Sequence, residues 1–514
     1  MGHIFLYGPP GSGKSTLGRM LADSLGLPFA DLDQLVQSST GLSIPQLMDQ
    51  RGENGFRDAE SSVLKEQLNR QESVIALGGG TLLREDNCRL VERYGEVFCL
   101  NAAPQVLLRR LEAESSSRPL LQGNTADKLA SLLATRRPHY ASFARQFDAD
   151  APPDLLIPRL QARIGRFHLT AMGSCDVVIQ PASVGRLGEL LRERAVMHPI
   201  LVTDENVAPL YLERALDSLR HSGYGCNSVT IPAGETAKTL ETVSLLWEGF
   251  LRAGLDRRST VVALGGGVVG DLAGFAASTF LRGIDWICVP TSLLAMVDAS
   301  LGGKTGFDLP TGKNLIGSFH APRLVLSDPN VLRSLPEAEF RAGLAEVVKH
   351  GLVADPGLFE ACAQGLSSVK ERLPELIRRA AAVKIRKIEA DPYERDQRAA
   401  LNLGHTVGHA LEVVSGFRIR HGEAVAMGMV AEAKLAERLG IAAEGLSTQI
   451  ADALRILGLP VRIPDGLARG DLIHAMHTDK KKAGGVVRFT LPVEIGRVQL
   501  NVEVPELQLA LEEV

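Results

Sequence analysis

Over the first 160 residues, short uninterrupted apolar runs alternate with segments whose apolar positions recur every three to four residues. The run "HIFLYG" (3–8) has the length of a buried strand, and "STLGRMLADSLGL" (15–27) sets Leu17, Leu21 and Leu25 on one helical face. "SVIALGGG" (73–80) reads as a second buried strand that ends in glycines. This alternation predicts a parallel α/β sheet. Around "DADAPPDLLIPRL" (148–160) paired prolines and a charge shift predict a boundary followed by a short linker helix.

The alternation resumes with "PILVTD" (199–204), "STVVALGGG" (259–267), "DWICVPTS" (285–292) and "PRLVLSD" (322–328), which predicts a second doubly wound sheet. From 336 onward the strand signal fades. Helical patterns take over in "AEFRAGLAEVVKHGL" (338–352), "LPELIRRAAAVKIRKIEA" (373–390), "GEAVAMGMVAEAKLAERLG" (422–440) and "LSTQIADALRILGL" (446–459). Three domains are expected, over 1–165, 170–335 and 336–514, the last mainly helical. The phrases "VIALGGGT" (74–81) and "VVALGGGVVG" (261–270) look duplicated, but their flanks do not match. Each reads as a buried strand ending where backbone must approach a ligand.

A chain of 514 residues exceeds what one core supports. A formal net charge of −4 gives no electrostatic footprint for nucleic acid or an anionic membrane. No apolar run approaches the ~18 residues of a membrane span, and "MGHIFLYGPPG" lacks a signal-peptide layout. Six cysteines, at 88, 99, 175, 226, 288 and 362, are scattered without a CxxC. They read as reduced structural thiols in a cytoplasmic protein.

"GPPGSGKST" (8–16) fits G-x-x-x-x-G-K-[ST] between a predicted strand and a predicted helix, the context that marks a phosphate loop. Backbone N–H groups of Gly11, Ser12, Gly13 and Thr16 would wrap phosphate oxygens at a helix N-terminus. Lys14 would neutralise β/γ-phosphate charge and Ser15 would coordinate Mg²⁺. Such a loop names the nucleotide and leaves the acceptor open. The acceptor signal lies in "FADLDQL" (29–35), "GENGFRDAE" (52–60), "LGGGT" (77–81), "SRPLL" (117–121) and "RRPHY" (136–140). Each fragment alone is bland, since Asp31 and Asp33 suit a turn and Arg57 a surface.

In this order and spacing they resemble shikimate kinase over essentially the first ~165 residues, a parallel-sheet P-loop kinase fold. The resemblance implies that Asp33 binds the ring hydroxyls and orients or deprotonates the attacking one, with Asp31 near the Mg²⁺ water shell. Arg57 and Arg136 would grip the substrate carboxylate, a bidentate task suited to guanidinium. Gly79 and Gly80 would allow close backbone approach. Arg118, on the segment "EAESSSRPLLQGNT", would stabilise the transferring phosphoryl group, and Arg110 would stack on adenine. Pro9-Pro10 inside the loop departs from that family's usual spelling.

In "LNLGHTVGHALE" (401–412), His405 and His409 share a helix face and suit a metal grip, a catalytic pair or simple packing. The zinc-protease pattern needs Glu after the first His, where Thr406 stands. The surrounding phrases decide the matter. "PAGETAKTLET" (232–242), "GGGVVGDLAGFAASTFLRGI" (265–284), "PTSLLAMVDASLGGKTGFDLPTGKNLIGSF" (290–319), "AGLAEVVKHGL" (342–352), "NLGHTVGHALE" and "HGEAVAMGM" (421–429) resemble 3-dehydroquinate synthase from about 170 onward.

That resemblance implies a Rossmann-like α/β NAD domain plus a mainly helical metal domain. It implies Zn²⁺ (or Co²⁺) on Glu346, His405 and His421, with His409 lining the pocket as a substrate or proton-relay group. NAD would be gripped by Asp204, Glu235, Lys238, Gly266, Gly267, Asp271, Thr291, Ser292 and Lys313. The heptulosonate phosphate would meet Arg282, Asp298, Lys304, Asn314, Lys349, Lys384, Arg398, Asn402 and His409, and also Lys480 or Lys481 in "TDKKKAGG". The implied reaction oxidises a substrate alcohol, eliminates phosphate, returns the hydride, and closes the ring by an aldol step. Glu394 lies in the family motif without an assigned proton. A homodimer through the synthase module is expected, with small-molecule substrates only.

Two other readings are open. A metal-dependent polyol or alcohol dehydrogenase shares a GGG strand end and an HxxxH segment, but has no use for a phosphate cage of Lys304, Lys313 and Arg398. A non-catalytic nucleotide-sensing front domain would bind ATP without needing Asp33 or Arg57.

Overall fold

A computed structural model describes residues 2–113, 125–225, 227–310, 312–480 and 487–511. The chain forms two compact units, Met1–Ile164 and Gly165–Val514. Among the described residues, no helix is long and apolar enough to cross a membrane.

The front unit has a sheet of five parallel strands. They are β1 (His3–Tyr7), β2 (Phe29–Asp31), β3 (Val74–Ala76), β4 (Gly95–Asn101) and β5 (Gln146–Asp148), in the order β2-β3-β1-β4-β5. The central strand β1 is buried at every position, as an uninterrupted apolar run requires when both faces are covered. Helix α1 (Lys14–Leu25) buries Leu17, Leu21 and Leu25 and stops at the left-handed Gly26. Asp31 caps α2 (Leu32–Thr40). A Ser43/Gln46 capping box opens α3 (Ile44–Leu68), which kinks at Gly52. After two further helices, Glu85–Tyr94 and Pro104–Ala113, come α4 (Thr125–Ala141) and α5 (Pro153–Ile164). The expected linker helix is this α5, and it is no linker. Its Leu156, Ile157, Leu160 and Ile164 share a core cluster with Leu17, Leu21 and Leu25. The charged and proline-rich run before it marks a turn inside the unit.

The rear unit is built on β6 (Arg166–Leu169), β7 (Cys175–Ile179), β8 (Pro199–Asp204), β9 (Asn227–Ile231), β10 (Thr260–Gly265) and β11 (Asp285–Pro290). A hairpin of β12 (Lys304–Leu309) and β13 (Gly312–Phe319) precedes β14 (Leu324–Ser327). The large sheet runs β6-β7-β14-β11-β10-β8-β9, parallel except for β6 against β7. Strand order reverses between β8 and β10, so a crevice opens at their carboxyl ends. There α6 (Gly267–Thr279) starts directly after Gly265-Gly266. The helical part includes α7 (Glu337–Ala354), α8 (Leu373–Ala390), α9 (His405–Val414), α10 (His421–Arg438) and α11 (Leu446–Ile456).

Two hairpins depart from the sequence reading. Lys304 and Lys313 lie on the β12–β13 hairpin, a pair of strands that the sequence pattern did not predict. The glycines of this stretch permit tight pairing; a Cβ at Gly306 or Gly317 would strike the opposite strand. Near the C-terminal end, β15 (Arg488–Glu494) and β16 (Arg497–Glu503) form an antiparallel pair within the region expected to be helical.

Helices α9 and α10 meet backbone to backbone. A Cβ on Gly428 would run into the Gly404 carbonyl, and one on Gly408 would press on Ala424 and Val425. Gly404 itself is left-handed, at φ 79°. A methyl group at Gly428 must push the two helices apart. Gly428→Ala is therefore expected to lower the rear unit's unfolding free energy by about 1–3 kcal/mol in urea titrations; parent-like stability would show that this contact has slack.

Candidate active sites

In the front unit, β1 delivers the chain into Gly8, Gly11 and Gly13, all at positive φ, and then into the uncapped N-terminus of α1. That geometry leaves backbone N–H groups facing the loop's interior. The Lys14 ammonium donates to the carbonyls of Gly8 (3.0 Å) and Pro9 (2.9 Å). Ser12 Oγ is buried without a hydrogen-bond partner. Ser15 Oγ donates to Asp31 Oδ2 at 2.5 Å, pairing the two groups expected around Mg²⁺. Thr16 follows on the exposed face.

The glycine loop after β3 collects the acceptor residues. A Cβ on Gly78 would lie 3.0 Å from Asp33 Oδ1, and one on Gly79 would lie 3.3 Å from the Gly8 carbonyl. Gly80 packs directly against the Arg57 guanidinium, leaving no room for a side chain. Arg136 donates to the Gly79 carbonyl at 3.3 Å. The same oxygen receives Tyr140 (2.7 Å) and Tyr7 (3.3 Å), so three donors fix the loop. Asp33, Arg57, Gly79, Gly80 and Arg136 thus surround one loop beside the phosphate loop.

Sequence reasoning missed Glu60, fully buried, which binds Arg57 at 2.7 Å and accepts a hydrogen bond from Thr81. It aims the guanidinium; its only signal was a position three residues after Arg57. Tyr7, Tyr140 and His139, which bonds Tyr7 at 3.1 Å, were missed as well. Arg110 donates to the carbonyls of Ala149, Asp150 and Ala151 beside Gly13, at the nucleotide end. Arg118 lies outside the described residues.

In the rear unit, α7, α9 and α10 bring Glu346, His405 and His421 together, with one ligand atom from each within 4.8 Å of the others. Glu346 is fully buried. His421 Nε2 stands 3.4 Å and His405 Nε2 3.8 Å from Glu346 Oε1, while Lys349 Nζ pairs with Oε2. The outer nitrogens are engaged: His405 Nδ1 meets the Leu403 carbonyl (3.2 Å) and His421 Nδ1 meets Glu412 Oε2 (3.1 Å). Both Nε2 atoms therefore face Glu346 Oε1, as ligating imidazoles do. A carboxylate and two imidazoles fit Zn²⁺ with open coordination positions.

Charge follows from this crowding. Burial opposes ionisation of Glu346, yet Lys349 and the two imidazoles hold it well below the carboxylate range. Burial also opposes a charge on His421, but Glu346 and Glu412 push it up to about 10. Burial and Lys349 push His405 well down. His409 is exposed, its ring 5.1 Å from that of His405, and with Glu412 and His421 it makes an overlapping set. Because Glu412 occupies His421 Nδ1, the buried Glu346 set is the better cation site. Glu412 had no signal beyond standing seven residues after His405.

A cationic cage adjoins the three ligands. Buried Lys384 donates to the Asp298 carbonyl and carboxylate, both at 2.6 Å. Asp298 in turn lies within 4.8 Å of Glu346 and His350. Arg398, also buried, donates to the Pro392 carbonyl at 2.5 Å. Lys304 pairs with Glu394, which accepts from Asn402 at 3.2 Å. Arg282 stands apart at φ 70°, making no hydrogen bond or ion pair among the described residues. The side chain of Lys480, and Lys481 entirely, lie outside the description.

On the sheet side, Gly266 and Gly267 start α6 without a side-chain cap. Thr291 N–H bonds the Gly265 carbonyl (2.9 Å), and a Cβ on Gly266 would sit 3.7 Å from Ser292 Oγ. Asp204 ends β8 and accepts from Asn206 and Val207 N–H. Buried Lys238 pairs with Asp271 (2.7 Å) and Asn314 (2.5 Å). Lys313 meets Glu235 at 3.2 Å and Glu412 at 3.9 Å, linking the crevice to the ligand-bearing helix α9.

Burial pushes Asp271 up to about 6 despite Lys238. Its pKa is thus higher folded than unfolded, so its stabilising share is complete below about pH 4 and is lost as pH rises towards 6. Asp271→Asn is expected to gain relative to the parent across that window, by on the order of 3 kcal/mol in urea unfolding. A difference that stays flat from pH 4 to 6 would contradict this.

Comparison with known proteins gives the family. Residues 10–156 match the shikimate kinase model. Residues 228–342 match the 3-dehydroquinate synthase N-terminal model and 343–482 its C-terminal model. The 3-dehydroquinate synthase of Symbiobacterium thermophilum is 48% identical over 328 residues, 62% of this chain and 92% of that protein. That of Crocosphaera subtropica is 45% identical over 351 residues, 66% of this chain and 96% of that protein. Among solved structures, 2-epi-5-epi-valiolone synthase from Streptomyces hygroscopicus, with NAD⁺ and Zn²⁺ bound, is 29% identical with a TM-score of 0.61. That match covers 66% of this chain and 94% of that one. With a synthase-like metal set and crevice behind a kinase-like phosphate loop, the chain belongs to the 3-dehydroquinate synthase family and carries a shikimate kinase segment ahead of it.

Proposed function

We propose that the chain is a bifunctional enzyme of aromatic amino acid biosynthesis. Its front unit transfers the γ-phosphoryl group of ATP to the 3-hydroxyl of shikimate. Its rear unit converts 3-deoxy-arabino-heptulosonate 7-phosphate to 3-dehydroquinate and phosphate. The observation carrying the proposal is that each nucleotide crevice adjoins a cage shaped for an anionic acid. Arg57 and Arg136 meet at Gly79–Gly80 beside the phosphate loop. Lys349, Lys384 and Arg398 crowd the Glu346 set.

In the front unit, Lys14 carries the positive charge towards the β/γ-phosphates, and Ser15 with Asp31 would hold Mg²⁺ through oxygen. Arg57, braced by Glu60, and Arg136 fix the acid's carboxylate. Asp33 then orients the attacking hydroxyl and takes its proton.

In the rear unit, Glu346, His405 and His421 would hold Zn²⁺ or Co²⁺, and the β8–β10 crevice would hold NAD⁺. These groups supply charge withdrawal from a hydroxyl oxygen and a reversible hydride acceptor. The chain's own residues do the rest. Lys384 and Arg398 neutralise carboxylate and phosphate, and Lys304 caps the mouth of the cage. His409, exposed beside His405, carries protons at the substrate hydroxyl. The leaving phosphate is itself basic enough to accept the neighbouring carbon-bound proton, so no further side-chain base is required. An alcohol dehydrogenase has no role for this cage. A cytoplasmic location suits an enzyme of this kind. A homodimer through the rear unit suits the exposed Leu281, Leu315, Ile316 and Phe319, and Arg282 beside Leu281 is free to serve a second copy's site.

Single-site variants separate the two reactions. Lys14→Met is expected to cut shikimate-dependent ADP formation by roughly 10²-fold or more and leave phosphate release from the heptulosonate phosphate intact. Lys384→Met is expected to do the reverse. Either variant abolishing both activities, or neither, would contradict the assignment.

A further inference from the structure

Helix α9 begins in an unusual way. Its N-cap, Gly404, is left-handed and has no side chain to receive the N–H groups of the first turn. His405 is the first helical residue, so the placement of its imidazole depends on how that turn is held. Two of these N–H groups end on one carboxylate. Gly404 N–H donates to Glu432 Oε2 at 2.5 Å and Val407 N–H to Glu432 Oε1 at 3.4 Å. In an ordinary capping box these same two donors, N-cap and N3, are satisfied by two side chains of the helix itself. Here a single side chain reaching across from α10 takes both.

Glu432 is fully buried. It lies eleven residues after His421, and positions 421, 425, 428 and 432 form one stripe along α10. Gly404 rests on that stripe: a Cβ there would strike the Val425 carbonyl and Met429, and Gly428 leaves room for the Gly404 carbonyl. The carboxylate thus fixes where α9 begins relative to α10, and each helix opens on an expected metal ligand.

We propose that Glu432 is a positioning residue for the metal centre: as a cap supplied from α10, it sets the spacing between His405 and His421. The inference rests on the metal-centre reading of Glu346, His405 and His421. It assigns Glu432 a function that burial in a helix interface alone would not require, since an alanine- and glycine-lined interface packs without a charge.

The test is Zn²⁺ affinity of the metal-free full chain at 25 °C, by competition with a chromophoric chelator, together with the absorption spectrum of the Co²⁺-loaded protein. Glu432→Gln keeps the volume but turns an amide donor towards one of the two N–H groups. It is expected to weaken Zn²⁺ 10–100-fold and shift the Co²⁺ bands, and Glu432→Ala at least as much. If the alanine variant does not fold, the glutamine variant carries the test. Glu437→Gln is the control for a merely structural cap: Glu437 lies on the same helix and accepts from Ser447 N–H (2.7 Å) and Oγ (2.8 Å), holding α11, which bears no site residue. It is expected to lower thermal stability and keep the parent's affinity and spectrum. Glu432→Gln binding Zn²⁺ like the parent, or Glu437→Gln losing as much affinity, would overturn the proposal. His405→Ala separates this from the underlying reading: if His405→Ala also binds Zn²⁺ like the parent, the metal-centre reading fails, whereas loss in His405→Ala with full affinity in Glu432→Gln sinks the cap role alone.

Discussion

The rear unit is organised around a carboxylate that water cannot reach. Burying Glu346 costs several kcal/mol unless the charge is met from within the protein. Lys349, His421 and His405 supply that charge. Lys349 takes Oε2, and Oε1 is left facing the two imidazole Nε2 atoms. A buried carboxylate oxygen aimed between two imidazoles suits a cation. The same demand spreads outward. His421 needs Glu412, Glu412 lies near Lys313, and Lys313 reaches Glu235 at the nucleotide crevice. The Glu346 set and the crevice are in this sense one electrostatic chain.

The front unit meets a different constraint with different means. Its charges are destined for phosphates, so the fold leaves backbone N–H groups unfilled at an uncapped helix start and parks the Lys14 ammonium on its own loop carbonyls. Rigidity comes from the opposite side, where Tyr7, Tyr140 and Arg136 converge on the Gly79 carbonyl. Two loops that must each approach a ligand closely are held from behind, which is how binding energy becomes orientation.

What the amino-acid pattern discloses follows from range. Strand–helix alternation, the phosphate loop and the long helices of the rear unit are local signals, and each lies where periodicity puts it. The hairpin of Lys304–Leu309 with Gly312–Phe319 was hidden because glycine and proline break its alternation. The pair Arg488–Glu494 and Arg497–Glu503 was hidden because two short strands barely register within a helical stretch. The helix Pro153–Ile164 looked like a linker because its prolines were louder than its leucines. In the sites, residues within named motifs could be read directly. The roles of Glu60, Glu412 and Glu432 could not, since each takes its meaning from partners brought to it by the fold. In the HxxxH pair, spacing alone puts both rings on one face without choosing between them, and in the structure His405 turns to the buried carboxylate while His409 stays exposed.

The central claim is that the rear unit recycles its nicotinamide within one turnover and expels phosphate. It is tested by supplying the purified protein with 3-deoxy-arabino-heptulosonate 7-phosphate, Zn²⁺ and trace NAD⁺, while following phosphate and absorbance at 340 nm together, with His405→Ala alongside. Many phosphates released per NAD⁺ with no lasting absorbance at 340 nm, and no phosphate release by the variant, are the predicted results. Steady NADH growth without phosphate would mean that the rear unit is an ordinary dehydrogenase.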